Sequence, residues 1–509
     1  MSDMGYRMAG MPMSSPMIAG MWLIVGGMIL ATWALIPPPA AASSRAAAYH
    51  LHAIDVAALT GAHWGLLFVL GVALVIDVMK PATLGFVLPG MVAEYGIPQA
   101  ASGWLLVCAL TGTTVGSVFW GVMADRIGRR AAILLASLMF IGTSICGTMP
   151  SYDVNLFMCF MMGIAAGGML PIVYALMAES VPAGPRGWLV VLHGGMGTVG
   201  GTLAAAGCAV LLEPVYSWRA LWLMNLPTGL VMLVLNRWIP ESPRFLLERG
   251  RVDEAQTVLA RYGVTLSVRV DPDDPMPFGS GRPSGRPSSD EPAPSHWAEV
   301  VALFRPPHRA QTILVIVYGL AWGIVNWGFI AFLPTFLRSR GLGAGAASYL
   351  LFLSAFVAIP GTVLVAWAYG KWSSRQSMIW FAVASIASAA AFAAIGPGAG
   401  ASRLAMVMVL SLIYATTGGV MAMLSPYTAE VFPTRLRGTG SGLSAGSTKL
   451  GGLFGGAATV TGLIAVASGL TRPVLLVSVP MAIAAVLVWK YGIETRGRRL
   501  EELAESRRA

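Results

Sequence analysis

Charge is what this chain has least of. Asp, Glu, Lys and Arg make up 11% of its 509 residues, under half the ~25% of an ordinary soluble domain, while 56% are hydrophobic. A soluble globular fold is thereby excluded and an all-α membrane protein is expected. Cysteine is also sparse. Cys108, Cys146, Cys159 and Cys208 all lie inside apolar runs, without CxxC or zinc-like spacing, so they read as small core residues rather than a disulfide framework. No nucleophile–base set, phosphate loop or cluster of metal ligands appears, so neither an enzyme nor a bound cofactor is expected. The net charge of +10 does not point to nucleic acid, because the basic residues are scattered over short loops and no basic, aromatic-bearing domain gathers them.

Apolar runs of roughly 20 residues, the length that crosses a bilayer, are plentiful. A first run covers Met17 to Leu35. Twelve more begin near Trp64, Gly103, Ala131, Val154, Gly187 and Leu221, then near Thr312, Ala347, Met378, Arg403, Gly438 and Thr471. The expected division is an N-terminal extension with one extra transmembrane helix (1–62), a six-helix bundle (63–239), a cytoplasmic loop (240–311), a second six-helix bundle (312–492) and a basic tail (493–509). The loop holds ERGRVDEAQTVLARYG, an amphipathic helix, then a Pro/Gly/Ser/Asp-rich linker expected to be disordered. The basic stretches DRIGRR at 125–130, PRG at 185, ERGR at 248, GKWSSR at 370, TRLRG at 434 and TRGRR at 495 share one side, which the positive-inside rule makes the cytoplasm. Arg338 and Arg340 are exceptions. The chain therefore reads as a multi-pass inner or plasma membrane protein with its C-terminus cytoplasmic and its N-terminus outside. A basic n-region is almost absent before the first run, although cleavage in the Ala-rich stretch after Pro39 would make that run a signal peptide.

The chain repeats itself. AESVPAGPRG, Ala178 to Gly187, returns as AEVFPTRLRG, Ala429 to Gly438, with its Glu, Pro and Arg-Gly at the same spacing; Glu179 and Glu430 stand 251 residues apart (430 − 179). Gly167-Gly168 and Gly200-Gly201 pair with Gly418-Gly419 and Gly451-Gly452 at the same offset. Two six-helix halves in parallel account for it. With GVMADRIGRR (Gly121 to Arg130) between the second and third helices of the body and PESPRFLLERGR (Pro240 to Arg251) after the sixth, the sequence resembles the major facilitator superfamily beyond residue 60. The resemblance implies alternating access around a substrate site near the bilayer midplane, between the halves. It also implies a clamp at the cytoplasmic face, here Gly121, Asp125, Arg126, Arg129, Arg130, Glu179, Arg186, Glu241, Arg244, Glu430 and Arg437. Physically, Gly121 would let helices approach closely and Asp125 would accept bonds at a helix end. Any single arginine reads equally as a topology marker. AWAYGKWSSR, Ala366 to Arg375, has Gly370 where the acid would fall, so the second half's clamp is expected to be weaker or absent.

Ionisable residues within apolar helices are costly and mark function by default. Asp77 and Lys80 lie about 13 and 16 residues beyond Trp64, ~20 and ~24 Å along a helix, and Lys449 about 11 residues beyond Gly438. All three fall near mid-depth. The alternative for Asp77 and Lys80 is a structural i,i+3 ion pair. The surroundings of Asp77 resemble helix one of aromatic-acid and metabolite:proton symporters, which carry two acids; Asp77 matches the first and Lys80 replaces the second. Lys449 stands where that group has an arginine. NWGFIAFLPTFL, Asn326 to Leu337, is similar to their helix seven, so Trp322, Asn326 and Trp327 would line the cavity, although aromatics at this spacing also serve as packing. His193, Asn225, Tyr414 and Tyr427 are weaker candidates.

The expected function is therefore a secondary active transporter, a monomer in the lipid bilayer, moving a small organic anion together with a proton. A sugar or other neutral metabolite porter is the nearest alternative, but the paired glutamines of sugar porters are missing from helix seven and helix five reads LHGGMGTVGG. A copper or other metal transporter is a third, because Met4, Met8, Met11, Met13 and Met17 supply soft thioethers; the same tail reads as a flexible, adaptable apolar segment.

Overall fold

The computed structural model describes residues 7–35, 58–264, 296–396, 402–461 and 471–496. Met4, the linker over 265–295 and the tail from 497 lie outside the described residues. Every regular element within them is helical. After α1 (Ser15–Leu35), the first half holds α2 (Gly61–Tyr95), α3 (Gly103–Ile127), α4 (Arg129–Gly142), α5 (Tyr152–Ser180), α6 (Ala183–Tyr216), and a sixth span from α7 (Arg219–Leu223) and α8 (Asn225–Leu235). Short helices α9 (Pro243–Glu248), α10 (Val252–Arg261) and α11 (His296–Leu303) follow. The second half holds α12 (Arg309–Gly323) and α13 (Leu333–Ser339) in one bent span, then α14 (Ala344–Trp367), α15 (Ser374–Ile395), α16 (Arg403–Val431), α17 (Thr434–Val460) and α18 (Thr471–Tyr491).

Among the described residues, eleven helices are long and apolar enough to cross a membrane. The expected twelve include α17, whose 27 residues would reach ~40 Å at 1.5 Å per residue. Its Gly, Ser and Thr residues and Lys449 dilute its hydropathy, while Leu450 and Phe454 keep one face apolar and exposed. The helix α1 is uncharged over its 21 residues, SPMIAGMWLIVGGMILATWAL. Its Trp22, Leu23, Leu30 and Trp33 are exposed, while Met17 and Met21 pack against the body. The arm before it is tied down at one end of the bundle: Met8 and Ala9 donate backbone N–H bonds to Glu94 Oε1 at 2.8 and 3.2 Å, and Gly10 donates to the Pro150 carbonyl at 2.9 Å.

Without a hydrophobic drive between spans in lipid, close backbone approach holds them together. The tightest pair is α3 against α5, where a Cβ on Gly112, Gly116, Gly163 or Gly167 would land on the partner's backbone. Gly121 corrects the sequence expectation: a Cβ there would meet nothing within 4 Å, because the close approach lies deeper, at Gly116 and Gly112. The two halves meet along a seam where α6 packs on α14 and α16, and α3 on α17.

Candidate functional site

Asp77 and Lys80 sit in the middle of α2, just before Pro81. That proline lacks the N–H that would bond the carbonyl four residues back, on Asp77. Asp77 is 5% and Lys80 2% exposed. Lys80 Nζ lies 3.9 Å from Asp77 Oδ1 and 3.1 Å from the centroid of the Phe140 ring on α4, so the ammonium turns into the first half. Neither Asp77 Oδ1 nor Lys80 Nζ has a hydrogen-bond partner among the described residues. Lys449 reaches from α17 across the seam and donates to Ser117 Oγ on α3, and its ammonium lies within electrostatic reach of Asp77. The sequence-predicted charges are thus brought together as a set, with Lys449 at the seam and Lys80 behind Asp77.

The seventh span bends where a π turn, Ile324–Phe329, interrupts the helix, an irregularity frequent at functional sites. The turn presents Asn326 to a narrow cleft between the halves, lined by Thr198, Val199, Thr202, Asn326, Ile330, Tyr414, Thr417 and Gly418. Trp322 is not among these residues: its Nε1 donates to the Thr417 carbonyl at 3.0 Å, tying the seventh span to α16. Trp327 packs over Gly452 of α17. Of the weaker candidates, Tyr414 lines the cavity. His193 sets its ring nitrogens 2.8 and 3.0 Å from the carbonyls of Leu189 and Leu67, Asn225 is buried in the sixth span, and Tyr427 receives the Ile493 N–H at 2.9 Å, far from the cavity. Sequence reading missed Ser117, Thr198, Thr202 and Thr417. The two α6 threonines stand beside the repeated Gly200-Gly201, the one signal that marked this depth.

The loops at the far end of α3 and α5 assemble around Glu241. Its carboxylate accepts the backbone N–H groups of Arg129 at 2.7 Å and Arg130 at 3.3 Å, capping α4. Gly128 adopts φ +99°, and a Cβ there would collide with the Glu241 carboxylate, so only glycine admits this cap. Burial raises the Glu241 pKa above the usual range, and the N–H bonds and the Arg129 charge only partly offset it. Arg129 pairs with Glu179 at 3.2 Å, Arg186 donates to the Val181 carbonyl at 2.7 and 3.0 Å, and the guanidinium of Arg126 is exposed. The side chains of Asp125, Arg244 and Arg437 lie outside the described residues.

The second half answers with different chemistry. At the position equivalent to Arg129, Ser374 donates its backbone N–H to Glu494 Oε1 at 2.9 Å, and Ser373 and Ser374 add hydroxyl bonds to the same carboxylate. Burial pushes the Glu494 carboxyl up, but these bonds and the Arg496 N–H outweigh it and hold the pKa below the usual range. Glu430 accepts from Tyr369 at 2.7 Å and Thr495 at 2.6 Å. Gly370 indeed carries no acid, yet this end is capped and tied by Glu494, which sequence reading missed. Across the seam at this end, a Cβ on Gly187 would stand 3.2 Å from Glu430 Oε1, and Trp188 packs on Gly370.

Two repeated six-span halves that meet at a polar cleft, with buried charges within their spans, define a membrane transporter. The chain belongs to the Major Facilitator Superfamily, whose sequence profile matches residues 82–456. It is 25% identical over 450 residues to the niacin transporter NiaP of Acinetobacter baylyi, covering 87% of this chain and 96% of that one. It is 26% identical over 438 residues to the 4-hydroxybenzoate transporter PcaK of Pseudomonas putida, covering 84% and 92%. The fold is similar to the xylose transporter XylE from E. coli in its partially occluded inward-open form, with a TM-score of 0.65 at 16% identity over 86% of this chain and 100% of that one.

Proposed function

We propose that the protein is a proton-coupled symporter of a small organic anion, with Lys449 receiving the substrate carboxylate and Asp77 carrying the proton. The observation that carries this reading is the placement of Lys449: a cation that reaches across the seam, has the neutral hydroxyl of Ser117 as its hydrogen-bond partner among the described residues, and lies within reach of Asp77. Leaving a buried charge unmatched is costly. In the empty carrier Asp77 offsets Lys449 and Lys80; when Asp77 takes a proton, the freed ammonium attracts an anion. Proton and anion then favour the same state, which is coupling. The names of the niacin and 4-hydroxybenzoate relatives support an aromatic carboxylate as the substrate class.

The remainder of the reading is a monomer in the bacterial inner or plasma membrane, divided as expected at 62, 239, 311 and 492, with the Glu241 end in the cytoplasm and α1 entering from outside. Asp77→Asn should retain anion binding but lose proton-driven accumulation in proteoliposomes. Lys449→Met should weaken anion binding about tenfold to a hundredfold, the worth of one charged hydrogen bond. Unchanged proton-driven uptake in Asp77→Asn would defeat the coupling role, and unchanged affinity in Lys449→Met would defeat the anion site. A neutral-metabolite porter is a second reading, favoured by the threonine, asparagine and tyrosine groups lining the cavity; competition of bound substrate by uncharged amides of the same ring would select it.

A further inference from the structure

Arg338, an exception to the distribution of basic residues, has a partner that explains it. Its Nη2 donates to both oxygens of Glu213, each at 2.7 Å. The residues are 125 positions apart and belong to different halves: Glu213 ends α6, and Arg338 ends the seventh span. Both helices start at the Glu241 end and run the length of the bundle, so the pair closes the opposite end of the seam. The side chains are 17% and 9% exposed. By contrast, the pairs Arg129–Glu179, Arg219–Glu94 and Asp77–Lys80 each close within the first half.

We infer that Glu213 and Arg338 are positioning residues for the transport cycle, a latch that must part whenever the mouth opposite Glu241 opens. The physical argument is differential contact. A domain motion that separates α6 from the seventh span removes this pair and exposes or strands two charges, whereas motion at the Glu241 end leaves it intact, so the pair favours one set of conformations over the other. Arg338 Nε has no hydrogen-bond partner among the described residues, which leaves the Glu213 carboxylate as the group that holds this guanidinium in place.

The test introduces Thr202→Cys in the cavity wall and follows its labelling by a membrane-impermeant thiol reagent, added from each side of oriented vesicles and read at that position by peptide mass spectrometry. A second cysteine, placed at Arg126, identifies the side of the Glu241 end. Glu213→Gln and Arg338→Gln should each raise labelling from the opposite side about fivefold to tenfold, the lower range for a conformational coupling. The charge-swapped double variant, Glu213→Arg with Arg338→Glu, should return it toward the starting level. A rise from the Glu241 side, no change in either single variant at normal membrane abundance, or a swap that labels like the singles would overturn the latch. The readout requires neither substrate nor proton gradient, so it stands or falls apart from the symport reading.

Discussion

At the residue scale, Lys80 and Lys449 carry the same charge and have different surroundings. Lys80 lies against Asp77 and the face of Phe140, an ion pair completed by a ring quadrupole; Lys449 crosses between halves to a hydroxyl. Removing one partner of a buried pair strands the other at a cost of about 3–5 kcal/mol, whereas removing both is often close to neutral. Lys80→Met should therefore lower the yield of folded protein in detergent, and Asp77→Asn combined with Lys80→Met should restore much of it. Additive losses, measured by size-exclusion of the fluorescently tagged protein, would show that the two residues do not compensate each other. The sequence made these residues suspects because charge in an apolar helix is conspicuous. It did not separate Lys80 from Lys449, because depth along a helix is readable from spacing, and the neighbour on another helix is not.

At the scale of elements, the two halves share a capping geometry and differ in its electrostatics. Both α4 and α15 begin under a carboxylate supplied by the segment after the sixth span of their half, Glu241 and Glu494. Glu494, with its pKa held down, stabilises the folded state fully above its unfolded-state pKa, and that stability is lost as pH falls through the folded-state value. For Glu241, with its pKa raised, the sign reverses: its contribution is complete below the unfolded-state pKa and is lost as pH rises through the folded-state value. Thermal unfolding across the acid range should show a decline on acidification that is smaller in Glu494→Gln and persists in Glu241→Gln. An identical decline in the wild type and Glu494→Gln would remove Glu494 from the acid response. The loop repeat at offset 251 was legible because its glycines, prolines and charges recur in register. Glu494 was not, because Ile239-Pro240-Glu241-Ser242 returns only as Ile493-Glu494-Thr495, without the proline and out of register by two.

At the scale of the whole molecule, the count of apolar runs and their parallel repeat made the two-half architecture readable. The seam between the halves was not readable, since its contacts join residues separated by an entire bundle. The same holds for the N-terminal arm, which reads in sequence as a loose, Met-rich tail and is bonded to Glu94 through Met8 and Ala9. Glu94 also receives Arg219 at 2.7 Å and Trp218 Nε1 at 2.8 Å, so the arm completes a carboxylate already oriented by two other groups. Deleting residues 7–14 should cost about 1 kcal/mol for each hydrogen bond lost, lowering the melting temperature while transport by the surviving protein keeps its rate. A loss of rate at unchanged membrane abundance would instead give the arm a part in transport.

The cap supplied by Glu494 also sets where the chain can be cut or joined to something else. A chain trimmed to Tyr491 keeps every span, yet it gives up the carboxylate over Ser374, the Thr495 hydroxyl on Glu430 and the Arg496 bond to the Trp372 carbonyl. Hydropathy alone places the boundary of the second half at the last apolar residue. The hydrogen bonds carry it on to Arg496, and a reporter or affinity handle belongs beyond that point.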